Sequence, residues 1–94
     1  MSVSGREHEG ETIRLDRLLV YLRFARTRSA ACAMIEGHSF RRNRIHVKRV
    51  SEGIAVGDVL TFVQGETVRI VEVLAIPQRR ASPAAAKQHY RELG

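Results

Sequence analysis

The chain has 94 residues, of which 44% are hydrophobic and 28% charged, with one cysteine, no Trp and a net charge of +6. That length supports one domain with one modest core, here drawn from Leu, Val, Ile and Ala. No apolar run approaches the roughly 18 residues of a membrane span, and the polar opening MSVSGREHEGE is not a secretory signal.

Residues 1–12, with Gly5, Gly10 and three Glu, read as a disordered tail. From Ile13 the pattern changes. Leu15, Leu18, Leu19 and Leu22 fall at i, i+3, i+4 and i+7, one buried stripe of a helix over residues 15–24, with Asp16 favoured in its first turn. Thr27 is the expected N-cap of a second, small-residue helix that starts at Arg28 or Ser29, and Gly37 its left-handed C-terminal cap. Cys32, among alanines, is expected to be a buried structural thiol in a reducing cytosol. Residues 40–47 then read as two very short strands around a turn at Asn43-Arg44, where a tight hairpin would prefer Gly second. Val56-Gly57-Asp58 is a turn into a strand over residues 59–63, and Gln64-Gly65-Glu66 a turn into a strand over residues 67–74. Pro77 ends the sheet. Ser82 and Pro83 are the N-cap and first residue of a last helix that runs on through residues 84–93. The order predicts a compact α+β domain, a two-helix hairpin packed on a small, mainly antiparallel sheet, with a C-terminal helix.

The charge is unevenly distributed. Residues 1–13 set Arg6 against Glu7, Glu9 and Glu11; residues 14–49 hold ten Lys or Arg against Asp16 and Glu36; residues 50–94 balance five against five. The excess therefore lies in one stretch, the footprint expected of phosphate binding. The candidate binding residues are Arg14, Arg17, Arg23, Arg26, Thr27, Arg28 and Ser29 around the helices, then His38, Arg41, Arg42, Asn43, Arg44, Lys48 and Arg49 around the hairpin. Nine of the ten cations are Arg, whose planar fork suits bidentate phosphate contact. Asp16, Glu36 and Asp58 are accounted for by helix ends and a turn. Arg69, Arg79, Arg80, Lys87 and Arg91 read as surface charge balanced by nearby acids. His8, His38, His46 and His89 have no zinc-like spacing. With no phosphate loop, nucleophile elbow or paired carboxylates, neither an enzyme nor a metal or other cofactor is expected.

Three spaced motifs carry a family resemblance. Arg14-Leu15-Asp16-Arg17-Leu18-Leu19 resembles the opening of the S4 RNA-binding domain, Arg26-Thr27-Arg28-Ser29-Ala30-Ala31 its second element, and Val56-Gly57-Asp58-Val59-Leu60 its closing motif. Residues 71–75, 78–80, 84–85 and 90–93 look like the ribosome-associated fifteen-kilodalton heat-shock subfamily. The resemblance implies an S4-like domain over residues 13–76 with a β extension, residues 77–94 forming a loop and helix packed on it. It also implies structured ribosomal RNA of the large subunit as partner, in a stress response that rescues stalled subunits. Two departures stand out: the usual V-N-G turn reads Arg42-Asn43-Arg44, and Gly37-His38-Ser39-Phe40 is one residue longer than typical. The subfamily often continues in a basic extension beyond the position of Gly94, so weaker ribosome affinity is expected here. A cytoplasmic monomer is expected, with weak binding to duplex DNA and no membrane partner. The other readings are an accessory domain of an RNA-modifying enzyme, a DNA-binding module, or a protein-docking patch of Val20, Tyr21 and Phe24.

Overall fold

The computed structural model describes residues 11–37 and 39–94. The leucine stripe forms as expected. Strand β1 (Ile13–Arg14) leads into helix α1 (Leu15–Tyr21), and Leu15, Leu18, Leu19 and Leu22 are all buried. The helix stops earlier than residue 24. Phe24 N–H donates to Leu19 O at 2.8 Å and Arg23 N–H to Val20 O at 3.0 Å, a Schellman ending with Arg23 left-handed at φ 67°. The turn swings Phe24 into the core, where its ring lies 5.3 Å from Phe62 and 4.8 Å from Tyr90. Val20 and Tyr21 are half-buried against the same core, so the three residues form no exposed docking patch.

Thr27 caps helix α2 (Arg28–Gly37), its hydroxyl accepting from Ala30 N–H at 3.1 Å. Gly37 is the last helical residue and not a left-handed cap; among the described residues the left-handed glycines are Gly57 and Gly65, in the two turns. Ala31 and Ile35 face the leucines of α1, while Cys32 is half-buried with its Sγ 3.9 Å from Asp16 Oδ2, less enclosed than expected.

The main sheet has the order β3-β2-β5-β6-β7, antiparallel throughout, built from β2 (Arg41–Arg42), β3 (Ile45–His46), β5 (Val59–Gln64), β6 (Thr67–Val73) and β7 (Tyr90–Glu92). Strand β4 (Gly53–Ile54) pairs separately with β1, Ile13 opposite Ile54. Leu60, Phe62, Val71 and Val73 turn inward beneath the helices, with Phe40 stacked on Phe62 at 5.1 Å. The α+β class and helix-hairpin-on-sheet arrangement agree with the sequence.

The C-terminus does not. Ser82 caps helix α3, Pro83–Ala86, but that helix is one turn long and the chain then becomes β7. Local propensity favours continuing through the alanines. Extending the helix would leave the outer edge of β6 unpaired and remove Tyr90 from Phe24, so the tertiary alternative prevails. Register places Val73 opposite Tyr90 and Glu72 opposite Arg91, and Leu93 N–H reaches Ile70 O at 2.7 Å.

Candidate nucleic-acid interface

Two buried carboxylates organise the basic segment. In the helical half, Asp16 is 1% exposed. It accepts from Arg14 Nε and Nη2 at 3.2 and 3.0 Å, from Arg28 Nε at 2.9 Å and from Arg17 N–H at 2.8 Å. Burial pushes this carboxyl up, but the hydrogen bonds and charges of Arg14 and Arg28 outweigh it and hold the group below its usual range. Arg14 and Arg28 remain 43% and 55% exposed, so each keeps outward N–H groups while its position is fixed. This trio retains one net positive charge. Arg17, Arg26 and Ser29 are exposed, and neither arginine forms an ion pair among the described residues.

In the hairpin half, Asn43 and Arg44 both have positive φ, 53° and 73°. This is a type I′ turn with arginine where glycine is usual, a left-handed placement that costs about 1–2 kcal/mol for a residue with a Cβ. The turn is held from below. Asp58 accepts from Arg42 Nε at 2.8 Å, Asn43 Nδ2 at 2.9 Å and Ala55 N–H at 2.8 Å, while Asn43 Oδ1 accepts from Val59 N–H at 2.8 Å. Burial again pushes the Asp58 carboxyl up, and the hydrogen bonds from Ala55, Asn43 and Arg42 bring it below its usual range. Arg42 also donates to Glu52 at 3.1 Å, and the bond to Asp58 raises its own pKa further. Asn43 and Arg42 are therefore structural at their tips. Exposed cations remain at Arg41, Arg44, Lys48 and Arg49, without an ion pair among the described residues.

The halves meet at residues 50–52. Leu15 N–H donates to Glu52 O at 2.9 Å, and Asp16 N–H to Val50 O at 3.1 Å. The side chain of the same Glu52 receives Arg42. Lys48 and Arg49 enter this joint directly, so the start of α1 and the β-hairpin are neighbours through it. Six exposed cations then flank one connected framework: Arg17, Arg26, Arg41, Arg44, Lys48 and Arg49. Such an array suits a chain of phosphates. Among the described residues no cluster of three or more His, Cys, Asp or Glu side chains is placed to hold a metal, and no helix is long and apolar enough to cross a membrane.

No family model matches the chain. Over 74 residues, 78% of this chain, it is 39% identical to the heat shock protein 15 homolog of Haemophilus influenzae, and it spans 56% of that relative's length. The structure of Vibrio cholerae heat shock protein 15, solved as a trimer, superposes with a TM-score of 0.81 at 34% identity, covering 88% of this chain and 83% of that one. The chain belongs to the heat shock protein 15 family. The S4-type resemblance carried by the three motifs holds with it, and the motif aspartates gain a physical role. In this member of the heat shock protein 15 family, Asp16 orients Arg14 and Arg28, and Asp58 orients Arg42 and Asn43.

Of the residues picked from sequence, Thr27 is a helix cap and Arg23 donates to Ala81 O at 2.6 Å, away from the hairpin; His38 lies outside the described residues. Arg69 and Arg91 do pair with Glu92 and Glu72. Arg79, Arg80 and Lys87 have no ion pair among the described residues, contrary to the balance read from sequence. A signal was present, because no Asp or Glu occurs between Glu72 and Glu92.

Proposed function

We propose that this chain binds structured RNA without catalysis, and that its target is ribosomal RNA of the large subunit. The observation that supports this most directly is the set of six exposed cations carried by the helical half and the hairpin half, two units that meet at residues 50–52, in a family of heat shock proteins. Arginines on rigid elements, with no exposed aromatic platform among them, favour recognition of RNA shape and backbone over base sequence. A cytoplasmic role in rescue or recycling of stalled subunits follows from the same reading, with duplex DNA as a weaker ligand. The trimeric Vibrio relative weighs against the monomer expected from sequence; self-association would repeat the basic surface on each copy. Sedimentation of cell lysate at low and moderate salt tests the assignment. The protein should travel with the large subunit at low salt and leave it as salt rises. Migration apart from ribosomes in both conditions refutes the ribosomal target, and preference for duplex DNA over structured RNA at matched salt refutes the RNA reading.

A further inference from the structure

The Gln78–Ser82 loop lies outside the S4-like motifs, yet it is fastened to the end of α1 by two long-range hydrogen bonds. Ala81 N–H donates to Tyr21 O at 3.3 Å, and Arg23 Nε to Ala81 O at 2.6 Å. Arg23 does this from a left-handed backbone, at a helix-ending position where glycine is the usual residue. A strained arginine whose side chain is directed to a carbonyl 58 residues away is explained by what it holds. What it holds is a loop bearing Arg79 and Arg80, both exposed and without an acidic partner among the described residues.

The loop is also continuous with the site already described. A cavity of about 360 Å³ is lined by Arg14, Arg17, Tyr21 and Gln78, and a second of about 630 Å³ by Gln78, Arg79, Arg80 and Ser82. Gln78 borders both. Glu11 also lines the first, whereas among the described residues no carboxylate lines the second. We propose that the Gln78–Ser82 loop is a third phosphate-binding strip, in which Arg79 and Arg80 contact the RNA backbone and Arg23 is a positioning residue that holds the strip against α1. The proposal rests on the RNA-binding reading. Its ligand is a phosphodiester chain entering past Arg17, since paired guanidinium forks on an anchored loop suit successive phosphates.

The test measures binding of the full chain to a labelled stem-loop RNA across a salt series. Replacing Arg79 and Arg80 together by Gln should flatten the logarithmic salt slope by about 1.4–1.8, two phosphates at roughly 0.7–0.9 each. Taking 1 M as the point where that contribution vanishes, the affinity loss at 0.15 M is roughly 10- to 30-fold. Arg23→Gly keeps the left-handed backbone, so the fold survives while the side-chain bond of the tether goes and the backbone bond from Ala81 to Tyr21 stays. Alone it should weaken binding, and added to the double variant it should do little more. Arg91→Gln, at an arginine paired with Glu72 on the sheet edge, should leave binding unchanged. An unchanged slope for the double variant overturns the strip, as does an equal loss from Arg91→Gln. Full additivity of Arg23→Gly overturns its positioning role, because it would mean that Arg23 touches RNA itself. A wild-type chain that fails to bind the stem-loop defeats the parent reading, whereas loss on Arg17→Ala with none on the double variant defeats the strip alone.

Discussion

Asp58→Asn probes how the hairpin is held. One carboxylate oxygen accepts from both Arg42 Nε and Ala55 N–H, the other from Asn43 Nδ2. With the new amide oxygen facing Arg42 and Ala55, its NH2 meets the NH2 of Asn43. If Asn43 flips to relieve that clash, Val59 N–H loses its acceptor. Either way a donor of the turn loses its acceptor within the protein and the bond from Arg42 loses its charge assistance, a combined loss of about 2 kcal/mol. For a domain of this size that lowers the thermal midpoint by roughly 8–16 °C. Urea unfolding with an unchanged slope measures it directly. Binding supplies the second readout. The substitution raises the net charge from +6 to +7, which by charge alone strengthens attraction to RNA. Loss of the anchored turn weakens it, because Arg41 and Arg44 are then no longer preorganised. Weaker RNA binding is therefore expected despite the added charge. A stability change below about 0.5 kcal/mol, or tighter binding, would refute the clamp.

Arg44→Gly should stabilise the protein by about 1 kcal/mol in urea unfolding, by removing a left-handed side-chain residue, while weakening RNA binding in a filter assay. Arg17→Ala and Arg26→Ala should each flatten the salt slope of RNA binding by roughly 0.7–0.9 with little effect on the melting temperature. Arg42→Ala should do the reverse, lowering stability by about 1–3 kcal/mol because Asp58 and Glu52 lose their shared partner, with a smaller change in slope. Asp16 and Asp58 both have folded pKa values below the ordinary 3.8. Their stabilisation is therefore complete above that value and disappears as the pH falls below it through the folded values. Stability measured from pH 6 to pH 2 should drop at the acid end, and Asp16→Asn should reduce that drop.

The legible parts of the fold were those set by local periodicity. The leucine stripe of α1, the Thr27 cap, the turns at Gly57 and Gly65 and the β5–β6 pair all follow from spacing within a few residues. The illegible parts are long-range competitions. Whether residues 87–93 extend a helix or form β7 is settled by the open edge of β6 and by Tyr90 meeting Phe24. The charge block was equally visible, but not which charges are already engaged. Asp16 looked explained by its helix position, although its defining partner Arg28 lies 12 residues away; Asp58 looked explained by its turn, although Arg42 lies 16 residues away.

Those two carboxylates change what a count of cations means. Ten lysines and arginines between residues 14 and 49 suggest ten phosphate contacts, yet Arg14 and Arg28 share Asp16, and Arg42 lies between Asp58 and Glu52. Arg23 is turned to the carbonyl of Ala81 in a distant loop, whereas the bond from Arg41 Nη1 to Arg44 O, 3.3 Å long, stays within the exposed hairpin. The six exposed arginines and lysines that remain in this segment contribute about −4 to −5 to the salt slope, where ten would contribute about −7 to −9, and the proposed strip at Arg79 and Arg80 adds about −1.4 to −1.8 to the six. The engaged residues are what hold those six in place: a flexible arginine loses side-chain freedom on meeting a phosphate, and one mounted on an anchored turn loses less. Two arginines, Arg23 and Arg44, occupy left-handed positions that glycine would fill more stably. At each the structure accepts local strain where a guanidinium is needed, Arg23 to fasten a loop and Arg44 to top a turn. The proposed binding surface is therefore better described by its anchors than by its charge.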